Sequence, residues 1–103
     1  MTTAIVAESD LSLASLDRLA AALRDALARG GAVRLDLAAV AVPDLALLQL
    51  VEAARRQAAR DGNDLALAAP ADGPLARALE RSGFTAGFDA ADHDFWFHGD
   101  PPR

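Results

Sequence analysis

Ala32-Val33-Arg34-Leu35-Asp36-Leu37, a short apolar run, is followed by a connection ending in Pro43-Asp44 and then by Leu45-Ala46-Leu47-Leu48-Gln49-Leu50-Val51. The first run is bounded by glycines on one side and a loop on the other, so it predicts a largely buried strand. Pro43-Asp44 signals a helix start, with Asp44 as N-cap: its carboxylate accepts a hydrogen bond from a free backbone N–H and complements the helix dipole. The alanine- and leucine-rich segment beyond it predicts a helix to about Arg60, stopped at Asp61-Gly62-Asn63.

Working outward, the same alternation repeats on both sides. Thr3 to Ala7 is β-branched and apolar and predicts a first strand. From Ser15, the residues Leu16, Leu19, Ala20, Leu23, Ala26 and Leu27 recur at helical spacing until Gly30-Gly31 ends the run, so the glycines terminate a helix and do not form a phosphate cradle. Asp64 to Ala69 predicts a third strand, Pro70 to Pro74 a turn, and Leu75 to Ser82 a helix closing at Gly83. Strand and helix alternating in this way give an α/β class with a mainly parallel sheet. Phe95 and Phe97 alternate with Asp94, Trp96 and His98, which suits either an added short strand or a packed tail.

Composition narrows the function. At 103 residues, 52% of them hydrophobic, the chain fits one domain with a core of its own. Residues 1–98 are expected to form it, with Gly99 to Arg103 as a disordered tail. A net charge of −5, with ten scattered arginines as the basic residues, argues against nucleic acid as a partner. No apolar run is long enough to span a bilayer, so no direct membrane insertion and a cytoplasmic location are expected. Cysteine is absent, which removes disulfides, thiol nucleophiles and thiolate metal sites.

Chemistry-bearing patterns are sparse. No Ser/His/Asp set with an elbow motif, no phosphate loop and no carboxylate pair in a shared cleft can be read, so no enzyme and no cofactor are expected. Asp89, Asp92, His93, Asp94, His98 and Asp100 gather oxygen and imidazole ligands, but without a helix or hairpin to converge them they read as a solvated tail, and no metal is expected. Asp36, closing a buried strand, suits loop anchoring better than catalysis.

From Asp10 to Phe84 the chain resembles the STAS family, named for sulfate transporters and anti-sigma-factor antagonists. The family's strand ending in aspartate, its hydrophobic connection and its Asp-Ser-Ser-Gly-Leu helix start are similar to Leu35-Asp36-Leu37 through Val42 and then Asp44-Leu45-Ala46-Leu47-Leu48. Its last core strand and closing helix are similar to Asp64-Leu65-Ala66-Leu67 and Leu75 to Phe84. The resemblance implies a STAS-like domain with a sheet of four to five strands. The serine phosphorylated in anti-sigma antagonists stands at Ala46, so no phosphorylation site is expected there; the serine before it is Leu45, and the glycine after it Leu47.

The implied function is a non-catalytic protein-binding module of bacterial signal transduction, its partner an anti-sigma factor, a histidine kinase or a related switch protein. The alternative is an accessory subunit of an ABC-type lipid transporter, its partner the ABC ATPase. The helix angles set Leu47, Leu50, Val51, Ala54 and Ala58 toward the core and Gln49, Glu52, Arg55 and Arg56 away from it. Leu45 and Leu48 fall toward the polar side, as ordinary surface or as a docking patch; the family's contact surface makes Asp44, Leu45, Ala46, Leu48 and Gln49 the expected partner-binding residues.

Overall fold

A computed structural model describes residues 2–98. Its elements are β1 (Thr2–Val6), α1 (Leu13–Arg29), β2 (Ala32–Asp36), α2 (Leu45–Asp61), β3 (Asp64–Leu67), α3 (Gly73–Arg81), a 3₁₀ turn (Thr85–Gly87) and α4 (Ala90–Phe97). The three strands form one parallel sheet in the order β1-β2-β3.

Register sets the core. Ile5, Leu35 and Leu67 stand side by side, and Thr3, Val33 and Leu65 form the next row. Val33, Leu35 and Leu67 are buried, whereas Arg34 and Ala66, on the opposite side of the pleat, are partly open and Arg34 reaches Asp64 at 3.1 Å. One sheet face therefore carries the apolar load, and buried apolar residues of all four helices join the same cluster.

The helix starts follow from side-chain caps. Asp44 caps α2 by accepting from the Leu47 N–H at 2.9 Å. Helix α1 begins two residues before the expected Ser15, because Ser12 and Ser15 form a reciprocal capping box: the Ser15 N–H donates to Ser12 Oγ at 3.1 Å and the Ser12 N–H to Ser15 Oγ at 2.7 Å. Gly62 ends α2 in the left-handed region (φ 71°), where a side chain would be strained.

Of the two readings of the C-terminal segment, the added strand is not seen and the packed one is, although the charged residues expected to form a solvated tail begin a helix, α4, opened by an Asp89–Asp92 capping box. Phe95, Trp96 and Phe97 are all buried, Trp96 completely. Three consecutive buried residues span more than half of a helix circumference, so α4 is enclosed on both sides and shows no apolar stripe to betray it.

The sheet has three strands among the described residues, not four or five. The outer edge of β3 is covered by α4: Ala71 N–H donates to the Trp96 carbonyl at 2.7 Å, and His98 Nε2 lies 3.0 Å from the Leu67 carbonyl. An edge closed by a helix needs no further strand to pair with it. The expected tail, residues 99–103, lies outside the described residues.

The ring of Trp96 packs edge-on against Phe84 and Phe95, while its Nε1 has no hydrogen-bond partner. Trp96→Ala is expected to cost ~3–5 kcal/mol in urea denaturation, as for other large aromatic core truncations. Trp96→Phe, which also removes the unpaired N–H, should cost clearly less.

Candidate functional site

The site is built by the connection from β2 into α2. Asp36 Oδ1 accepts from the Ala38 N–H at 2.9 Å, which makes it the loop anchor the sequence suggests. Val40 N–H donates to the Leu37 carbonyl at 3.1 Å, and Val40 and Pro43 are buried. Ala41 N–H donates to the Ser9 carbonyl at 3.3 Å, tying this connection to the one after β1. Between these anchors Ala38, Ala39, Ala41 and Val42 face outward, so the loop is held rigidly with an apolar outer surface.

Four of the five expected docking residues lie on the surface: Asp44, Leu45 and Ala46 are exposed at the start of α2, with Leu45 at 49%, and Gln49 is exposed one turn further along. The fifth does not. Leu48 is fully buried beside Leu47 and Val51 and belongs to the core.

Helix α2 is seated against α1 and β3, and that seat sets which of its sides is buried. Residues 48, 52 and 55 form one stripe along α2, and α4 packs on its far end: Arg55 pairs with Glu52 at 2.7 Å and with Asp92, and its guanidinium lies 5.4 Å from the centre of the Phe95 ring. The buried arc of α2, formed by Leu47, Leu48, Val51 and Ala58, is turned toward Leu48, and Leu50, expected on the core face, is only partly buried.

Three exposed apolar residues at this end are not singled out by the sequence, Val6 at the close of β1 and two others at helix starts. Val42 is 73% exposed and Leu13, the first residue of α1, 79%. Val42 and Leu13 stand within two residues of a capping position, Val42 two before Asp44 and Leu13 directly after Ser12. No preceding helical turn exists there to cover them, and that position is the signal that could have found them.

A cavity of about 290 Å³ opens beside the site, between the connections that follow β2 and β3. Leu37, Val40, Leu67, Pro70 and Leu75 line it, together with Asp36 and Asp72. Its walls are mainly hydrocarbon, and its two carboxylates lie at the rim, where Asp72 is exposed. The imidazoles are elsewhere: His93 packs against Phe88 with ring centres 5.4 Å apart, and His98 meets the Leu67 carbonyl. Among the described residues no three His, Cys, Asp or Glu side chains come together as metal ligands.

The Arg55 cluster clamps α4 to α2. Burial by itself would raise the Glu52 carboxyl, but hydrogen bonds from Arg55 and Arg56 outweigh it and hold it below its ordinary value of 4.5. The hydrogen bond to Glu52 likewise raises Arg55, against its partial burial. A depressed carboxylate stabilises the fold above its unfolded-state pKa, and the contribution is lost as pH falls through the folded value.

A family model described as "Mlab, STAS domain" matches residues 2–88, which is β1 through the 3₁₀ turn and excludes α4. No curated protein and no solved structure matches the chain.

Three outcomes follow for stability. Leu48→Ala should cost ~2–5 kcal/mol in chemical denaturation, whereas Leu45→Ala should stay below about 1 kcal/mol. In Glu52→Gln, stability should fall less steeply than in the wild type as pH drops below 4.5, measured by urea midpoints across the acid range.

Proposed function

This chain belongs to the STAS domain family, and we propose that it is a regulatory, non-catalytic module of bacterial signal transduction that binds a partner protein, an anti-sigma factor or a histidine kinase or related switch protein, through the first turn of α2. The observation that carries this reading is the half-exposed Leu45 beside the exposed Val42, at the family's contact surface. An alanine at position 46 has no hydroxyl to accept phosphate, so the surface is constitutively competent or is regulated through its partner.

The energetics suit docking. Burying Leu45 and Val42 against a partner contributes roughly 2–4 kcal/mol before the costs of association, a useful share of a small interface. Asp44 serves mainly as the cap that fixes this turn, and Gln49 lies one turn further along the exposed side.

The matching description names Mlab and no anti-sigma antagonist, and for that reason a second reading stands beside the first: the small STAS subunit that clasps the ATPase of a lipid transporter. Both readings use the same surface. They differ in what is bound to it.

Affinity capture from the native cell extract with wild type and Leu45→Asp side by side, read by mass spectrometry, separates them. We expect Leu45→Asp to keep a cooperative melt near the wild-type midpoint while losing one specific partner. If that partner is a signalling kinase or an anti-sigma factor, the leading reading holds; if it is an ABC ATPase, the second replaces it. Equal capture by both proteins would remove the α2 turn as the docking site.

A further inference from the structure

All four large apolar side chains that are exposed among the described residues, Val6 (64%), Leu13, Val42 and Leu45, lie at one end of the domain, where strands finish and helices begin. Three connections meet there, residues 7–12, 37–44 and 68–72, and none contains a lysine, arginine or histidine. They carry Glu8, Asp10, Asp44 and Asp72, and Asp36 closes β2 beside them. We propose that the partner presents an apolar surface bordered by arginine or lysine side chains, and that it docks across this whole end of the domain and not on the tip of α2 alone.

The proposal rests on the docking reading above and adds the chemistry of the partner. Continuity of the surface is built into the backbone. The Ala41–Ser9 hydrogen bond fuses the first two connections, Val6 stands in register with Asp36, and the cavity between Asp36, Val40 and Asp72 joins the second connection to the third.

Not every carboxylate here is available. Glu8 is paired with Arg18 at 2.8 Å, Asp36 holds the Ala38 N–H, and Asp44 holds the Leu47 N–H. Asp10 is exposed, and Asp72 is exposed at the N-cap of α3 without making a side-chain cap bond. These two flank the apolar centre and give it a negative rim. Rim charges of this kind govern approach and partner choice more than final affinity.

Other occupants fit less well. Phosphate groups, nucleic acid and anionic lipid would meet the same carboxylates. A second copy docked by the same face would set Asp10 and Asp72 against their own equivalents or against Asp44. Head-to-tail pairing would use the opposite end, where Arg29, Arg60 and Arg81 lie in the last turns of their helices, but that end offers no large exposed apolar side chain among the described residues.

The test uses the full chain, ¹⁵N-labelled, and two synthetic amphipathic helical peptides that share one leucine face and differ only in their rim, arginine in one and glutamate in the other. The arginine peptide should shift the amides of Leu13, Val42, Leu45 and the Asp72 turn and weaken several-fold as salt is raised, and the Asp10→Asn/Asp72→Asn double variant should bind it roughly three- to tenfold more weakly. The glutamate peptide should leave the spectrum unchanged. Equal binding of both peptides, shifts confined to another face, or no binding of the arginine peptide overturns the proposal. So does self-association of the wild type that the double variant abolishes in sedimentation velocity. With the partner captured above, loss in Leu45→Asp but unchanged binding in the double variant overturns only the charged rim; retention in Leu45→Asp overturns the docking reading itself.

Discussion

Leu35, in the middle strand, has Ile5 and Leu67 in register on either side, and this row of three apolar side chains is what every helix of the domain has to cover. A three-stranded sheet has only one such face here, because Arg34 and its ion pair with Asp64 occupy the other. The requirement to bury that row brings the helix stripes into a single cluster. It also fixes the chain direction: parallel strands send every connecting helix back antiparallel, so strand ends and helix starts gather at the same edge.

The surface proposed for docking follows from that arrangement. A helix start leaves backbone N–H groups unpaired, and the Asp44 carboxylate satisfies one of them. The first turn of α2 is held in place while its outward positions remain free of packing. In this chain those positions carry leucine and alanine in place of the serines of the family motif that the segment resembles, so the surface proposed for docking is apolar.

The segment beyond the matched residues is as much part of the core as the segment within them. Helix α4 contributes the fully buried Trp96 and is tied to α2 through Arg55, which meets Glu52, Asp92 and the Phe95 ring together. A half-buried arginine is stable only with carboxylates beside it, and Asp92 is available to it because the same residue closes the cap of α4.

The alternating α/β order, the Asp44 cap, the glycine stops and the alanine at the family's serine position are legible in the order of residues alone, whereas the number of strands is not. Each of these depends on residues within a few positions of one another, through helical spacing, capping chemistry and backbone freedom at glycine. Only the tertiary structure decided that Leu48 is core, that residues 90–97 form a helix at the edge of β3, and that Leu13 and Val42 share an exposed end with Leu45. Those facts depend on contacts between distant parts of the chain. Periodicity reports which side of a helix is apolar, but which arc is buried depends on the neighbours laid against it, and for α2 these are α1 and β3, with α4 tied to its flank by an ion pair between residues 55 and 92.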